Sequence, residues 1–97
     1  MTHLARGTSV RPSADVLFRE LEGEAVLLDL GSGRYFGLNA VGTRVWTLLA
    51  AGATIGAAAA AIVAEFDVDP DQIARDIDDL VTELAARGLI VPAQPRS

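Results

Sequence analysis

Few side chains in this sequence could act as a nucleophile, a base or a metal ligand. The chain has no Cys, and its one His, His3, lies in a polar N-terminal stretch without apolar periodicity. A Ser/His/Asp or Cys/His hydrolase needs a base held beside its nucleophile, and zinc or iron–sulfur centres usually need thiolates. We interpret His3 as a solvated tail residue and predict neither nucleophilic catalysis nor a cofactor.

Alternating carboxylates offer another candidate site. Asp67, Asp69 and Asp71 are spaced as in a calcium loop, but the sixth position is Gln72 rather than Gly and the twelfth is Asp78 rather than Glu. We therefore interpret the three aspartates as residues at the start of a helix and predict no metal site.

A second acidic group, Asp76, Asp78, Asp79 and Glu83, falls within one predicted helix. Paired carboxylates can perform general acid/base catalysis. A chain of this length has no second domain to enclose a pocket, so a solvated acidic face is the favoured interpretation. Recognition of a partner is the alternative.

Composition excludes several classes of partner. The 97 residues suffice for one small domain, the net charge is −5, and every positive charge is an Arg. An acidic chain repels phosphate backbones, so no nucleic-acid partner is expected. The longest apolar run, 55–64, is shorter than the roughly 20 residues that span a bilayer, so no membrane partner is expected either. Cytosol is the expected location, since nothing indicates a signal peptide or disulfides.

The first half of the chain has the period-two pattern of strands. Val16–Leu21 and Glu24–Leu30 are joined by a Gly-containing pair typical of a hairpin turn. Gly31-Ser32-Gly33 predicts a second turn before a third strand, Arg34–Leu38. Because this segment joins two strands, it is not the strand-to-helix loop that cradles phosphate.

From Asn39 onward the apolar period changes toward 3.6. Asn39 is predicted to cap a first helix that Gly52 ends, and Thr54 a second helix that runs to about Phe66. The first helix carries Trp46, which we assign to the core together with Phe18 and Phe66.

The third helix has the best-defined ends. Asp69 is the predicted N-cap, Pro70 the first helical residue, Gln72 the second half of a capping-box-like pair, and Gly88 lies just past the end. Its apolar stripe comprises Ile73, Ile77, Leu80, Val81 and Leu84.

Three strands followed by three helices predict an α+β, winged-helix-like domain over residues 15–91. Residues 1–14 and 92–97 are predicted to be flexible tails. Tyr35 and Phe36 are neighbours on a strand and must point to opposite faces, so at most one enters the core and the other is available to a ligand.

The run from Leu28 to Asn39, LDLGSGRYFGLN, continued through Gly42, Val45, Trp46 and Leu49, resembles the PqqD-like family of leader-peptide-binding domains, the RiPP recognition elements. The later segment from Phe66 to Ile90 is similar to the same family's third helix and closing turn. Together the resemblance spans about residues 16–91.

This resemblance implies a non-catalytic protein that binds the leader of a ribosomally made precursor peptide as an extra strand. The implied edge strand is Arg34, Tyr35, Phe36, Gly37 and Leu38, and the implied facing wall is Ile73, Asp76, Ile77 and Leu80, with Arg75 nearby if the helix turns it inward. Plain core packing is the other interpretation of the Ile and Leu residues. Gly37 has no side chain to obstruct an incoming backbone, and proline at position 36 should weaken binding if that amide faces the leader rather than the second strand.

The resemblance also implies the receiving enzymes. The sequence of the third strand and the residue after it, Tyr35 to Asn39, is most similar to the lasso-peptide members of the family. Those members deliver the precursor to a leader peptidase and a cyclase. The alternative is the PqqD branch, which serves a radical SAM enzyme in pyrroloquinoline quinone synthesis. A DNA-binding winged helix is the rival from another class, but residues 69–88 carry six acids against two arginines.

Overall fold

The computed structural model describes residue 7 and residues 9–92, which form an α+β fold. The elements are β1 (Val10–Pro12), β2 (Val16–Leu21), β3 (Glu24–Asp29), β4 (Arg34–Leu38), α1 (Ala40–Ala50), α2 (Ile55–Phe66), α3 (Pro70–Ala86) and β5 (Ile90–Pro92). The predicted order of three antiparallel strands and three helices is confirmed, and a short strand is added at each end. His3 and residues 93–97 of the predicted tails lie outside the described residues.

Two tight turns fold the main sheet. Glu22 and Gly23 have φ values of 56° and 85°, the conformation of the turn whose twist matches a β-hairpin. In the second turn the Asp29 carboxylate accepts hydrogen bonds from the Gly31 amide and the Ser32 hydroxyl, both at 3.0 Å. The resulting strand order is β2-β3-β4, so β4 lies at an edge of the sheet.

All predicted N-caps are confirmed: Asn39, Thr54 and Asp69 each accept a hydrogen bond from the amide three residues on. The second half of the capping box is wrong. The Gln72 side chain turns away from the Asp69 amide: its Nε2 donates to Asp76 Oδ1 at 2.8 Å, and its Oε1, which a capping box would need, accepts from Arg75 Nη2 at 3.2 Å.

The alternating aspartates are structural. Asp67 ends α2 in the left-handed conformation with φ 53°, Asp69 caps α3 and Asp71 lies in its first turn. Within residues 9–92 no three acidic or histidine side chains are grouped closely enough to hold a metal ion. The same part of the chain contains no helix long and apolar enough to cross a membrane.

The core lies between the inner face of the main sheet and the three helices, with Leu27 and Leu84 fully buried. Trp46 is buried, as predicted. The assignment of Phe18 and Phe66 to the core is wrong, because each is 36% exposed. Phe18 lies on an outer strand and covers the indole of Trp46 with a stacked ring, 6.3 Å between centroids.

An ion pair joins α1 to α2. Arg44 Nε and Nη2 each donate a 2.9 Å hydrogen bond to the Glu65 carboxylate, and these bonds lower the pKa of Glu65. Both side chains are substantially exposed, so the pair contributes little to stability.

The predicted N-terminal tail is wrong over residues 10–12. Val10 is only 1% exposed, and β1 pairs antiparallel with β5. The Ser13 amide also donates to the Leu89 carbonyl at 3.0 Å. The segment is ordered because Leu89 and Ile90, after the end of α3, fold back onto the core and present a strand edge for it.

We expect Val10→Ala to lower the free energy of unfolding by about 1.5–3 kcal/mol, because it removes buried methyl groups and leaves a cavity. Urea unfolding followed by Trp46 fluorescence would measure the change. Arg11→Ala, an exposed neighbour on the same strand, is the control and should leave the unfolding midpoint nearly unchanged. An unchanged midpoint for Val10→Ala would show that β1 contributes nothing to the fold.

Candidate functional site

The open edge of β4 faces α3 across an elongated groove of about 430 Å³. Phe36 and Leu38 line its strand side, and Ile73, Ile77 and Leu80 line its helix side. The helix runs opposite to the strand, since Arg87, just past the end of α3, lines one cavity with Arg34 at the start of β4. The Arg87 guanidinium lies 5.2 Å from the centroid of the Phe36 ring in the middle of the strand. An edge strand beside an apolar wall is thus presented to solvent.

The register of the sheet decides which backbone groups this edge offers. The Leu30 amide donates toward β2, to the Asp15 carbonyl at 2.8 Å, whereas the Asp29 carbonyl accepts from the β4 side, from the Gly33 amide at 2.7 Å. Backbone groups alternate in direction along an antiparallel strand. The β3 residues bonded to β4 are therefore those in step with Asp29, namely Ala25, Leu27 and Asp29 itself.

Their partners in β4 are Leu38, Phe36 and Arg34. These three residues direct their amides and carbonyls into the sheet, so Tyr35 and Gly37 direct theirs to the open edge. The Phe36 amide faces β3, the second predicted strand. The condition attached to the proline prediction at position 36 is therefore not met, and Tyr35 and Gly37 are the positions that an added strand would bond.

Most of the predicted site residues meet in this groove. Its lining includes Phe36, Gly37, Leu38, Ile73, Asp76, Ile77 and Leu80. Ile73 and Ile77 are buried and Leu80 is half-buried. This face of α3 therefore packs in the core and also lines the groove, so the two interpretations of these residues are compatible. Asp76 is the charged side chain of the lining and accepts the hydrogen bond from Gln72.

Three predicted residues lie elsewhere. Arg75 is exposed and donates to Gln72 Oε1 at 3.2 Å, so the helix does not turn it into the groove. Arg34 and Tyr35 line a separate cavity of about 310 Å³ beside the start of β4. Phe36 lines both cavities, so the second adjoins the groove.

The two aromatic neighbours do point to opposite faces. Phe36 packs against the core and the Arg87 guanidinium, whereas Tyr35 is 71% exposed. The register places Tyr35 opposite Leu28 on the outer face of the sheet. Phe36 therefore belongs to the groove, and Tyr35 contributes its backbone to the edge.

The proposed role of Gly37 requires correction. A Cβ at this position would meet no atom within 4 Å, and the register directs it to the outer face beside Val26. Side chains stand perpendicular to a sheet, whereas an added strand approaches in its plane. The missing side chain therefore does not open the edge to an incoming backbone.

Sequence reasoning missed the end wall of the groove. The lining is completed by the N-cap of α1, by three residues of its first turns and by one residue before α3: Asn39, Val41, Gly42, Val45 and Val68. Val41 and Val45 are four residues apart on one helix face directly after β4, which could have indicated a surface continuous with the strand. Val68 carried no comparable signal.

The part of the chain that forms the groove matches a known protein family. The sequence profile of the family described as coenzyme PQQ synthesis protein D (PqqD) matches residues 24–90, which include β3, β4 and all three helices. The chain belongs to the PqqD family. The resemblance to PqqD-like RiPP recognition elements is thereby confirmed, and the profile covers every residue that lines the groove.

Two solved structures are similar to this chain over nearly their whole length. TbiB1 in complex with the TbiA(beta) leader peptide is 37% identical, with a TM-score of 0.77, over 90% of this chain and 98% of that chain. A lasso peptide synthetase B1 complexed with the leader peptide is 28% identical, with a TM-score of 0.78, over 87% of this chain and 99% of that chain. No curated protein sequence matches this chain significantly.

Proposed function

We propose that this chain binds the leader segment of a ribosomally synthesised precursor peptide by β-strand addition along β4. The observation that supports this most directly is the free backbone edge at Tyr35 and Gly37 beside the apolar wall of α3. Such an edge gives affinity through main-chain hydrogen bonds, and the groove gives specificity through alternate side chains. The similarity to two proteins solved with leader peptides favours the same ligand class.

The bound leader is presented to separate processing enzymes, the leader peptidase and the cyclase of lasso-peptide biosynthesis. The chain itself acts as a non-catalytic adaptor, in the cytosol where the precursor is made. Similarity to a lasso peptide synthetase B1 favours this branch over delivery to a radical SAM enzyme. The genes beside this one would separate the two branches: an asparagine-synthetase-like cyclase and a transglutaminase-like protease indicate the first, and a radical SAM enzyme the second.

A DNA-binding role receives no support from the structure. The acidic third helix contributes one wall of the groove, and its charged lining residue is Asp76. A duplex phosphate backbone would meet negative charge there.

Binding of a fluorescein-labelled leader peptide tests the proposal. We expect saturable binding in the sub-micromolar to micromolar range for the leader of the precursor encoded beside this chain, with the TbiA(beta) leader as a second probe. Fluorescence anisotropy would measure the affinity, and a scrambled peptide of the same composition is the control. If the matching leader shows no saturable binding while circular dichroism shows a folded chain, the proposal fails.

A further inference from the structure

The cavity at the start of β4 is lined by two arginines and one aspartate, an excess of positive charge in a chain whose net charge is −5. Arg34, Arg87 and Asp29 supply the charged part of its lining, beside Phe36 and Tyr35. Because Phe36 also lines the main groove, a strand added along β4 would place its end at this cavity. The main groove has Asp76 as its charged lining residue. The cavity therefore has an excess of positive charge, whereas the groove beside it carries a negative charge.

Both guanidinium groups have donors available for a ligand. Within residues 9–92 the Arg34 side chain makes neither a hydrogen bond nor an ion pair. Its cross-strand neighbour Asp29 is engaged in the turn, where Oδ1 accepts from Gly31 and Oδ2 from Ser32. Arg87 donates through Nε and Nη2 to a single oxygen of Glu83, which leaves further N–H donors of the guanidinium free.

The register places an incoming side chain beside Arg34. Arg34 directs its own amide and carbonyl to β3, so with a strand added antiparallel to β4 it forms a non-hydrogen-bonded pair. Directly opposed side chains in such pairs lie closest, with Cβ atoms about 4.5–5.5 Å apart, on the same face. Since Arg34 and Phe36 share the inner face, the peptide residue opposite Arg34 points toward the cavity and not to the outer face.

Resting on the proposed function, we propose that Arg34 and Arg87 form a subsite that selects an acidic side chain of the bound peptide, at the residue opposite Arg34. The peptide residue opposite Phe36, two positions away, faces the apolar part of the groove. The protein thus selects a peptide that has an acidic residue opposite Arg34 and an apolar residue opposite Phe36. Arg34 supplies the free charge, and the Arg87 guanidinium is held in place by Glu83 and the Phe36 ring.

A positional scan of the TbiA(beta) leader and of the leader encoded beside this chain tests the subsite. Each position would be replaced in turn by Glu, Gln and Lys, and the affinity measured by anisotropy. We expect one position at which Glu binds about two- to fivefold more tightly than Gln, with Lys weakest, since a charge pair between partly exposed groups has this strength. Two positions along, every polar replacement should weaken binding.

Charge reversal in the protein completes the test. In the Arg34→Glu chain, the order of affinities for the peptides substituted at that position should invert, so that the Lys peptide binds more tightly than the Glu peptide. Arg34→Gln, which adds no negative charge beside Asp29, should abolish the preference without inverting it. Arg19→Glu is the matched control and should keep the wild-type order, because β2 lies two strand spacings, about 10 Å, from β4 and beyond the screening length of physiological salt.

The outcomes separate the subsite from the proposed function. A chain that binds no peptide of the scan overturns both. A chain that binds the leaders but shows no position with a Glu preference, or one whose preference persists in both Arg34 variants, overturns the subsite and leaves leader binding intact. Loss of the preference in Arg19→Glu as well would show a non-specific effect of net charge, and the subsite would again be rejected.

Discussion

A Leu80→Glu chain should bind the leader peptide about 30-fold or more weakly than the wild-type chain while keeping its fold, because the added strand would bury an unpaired carboxylate. Leu80 is half-buried at the wall of the groove, so in the free protein a longer polar side chain can reach solvent. In the complex the added strand covers this position, so the carboxylate of the variant cannot reach solvent. Isothermal titration or anisotropy would measure the loss.

The matched control for this variant is Val63→Glu. Val63 is also half-buried and apolar, packs against the core from α2, and does not line the groove. It should lose as much stability as Leu80→Glu in urea unfolding and no affinity. Equal loss of binding in both variants would mean that the effect comes from the fold and not from the groove.

Proline at two adjacent positions of β4 should have opposite consequences. Gly37→Pro removes an amide that faces the open edge and places the ring in the path of an added strand, so leader binding should fall more than about tenfold with little loss of stability. Phe36→Pro removes an amide bonded within the sheet and a ring packed on the core, so the free energy of unfolding should fall by about 3 kcal/mol or more.

Alanine at each position isolates the contribution of the amide. Gly37→Ala should bind the leader like the wild type, since its Cβ meets no atom within 4 Å. Phe36→Ala loses the ring and keeps the backbone bond to β3, so it should be more stable than Phe36→Pro. Thermal unfolding and anisotropy on the four variants would decide, and a Gly37→Pro chain with wild-type affinity would contradict the assignment of the open edge.

Local signals explain why so much of the fold was predictable. The caps at Asn39, Thr54 and Asp69, the hairpin turn before Glu24 and the apolar periods act within a few residues of the chain. Interactions of that range are present in the sequence itself. The main strands, helices and most groove residues followed from these signals and from the family resemblance.

The errors have a common physical origin in contacts between distant segments. β1 is ordered because residues after α3 return to offer it an edge, a contact between residues some 80 positions apart along the chain, as between Val10 and Pro92. Phe18 remains partly exposed because it lies on β2, the outer strand of the sheet, although its ring stacks on Trp46. Arg75 points away from the groove because the packing of α3, and not its sequence alone, sets which side meets β4.

The sequence by itself determined the three main strands, the three helices and their order along the chain. The tertiary structure alone decided how the strand presents itself: which amides face outward, which of Tyr35 and Phe36 is buried, and that two arginines meet at one end of the groove. The reason is that alternation along a strand yields two equivalent faces and two equivalent edges. Only pairing with β3 and packing on α3 make those faces and edges different.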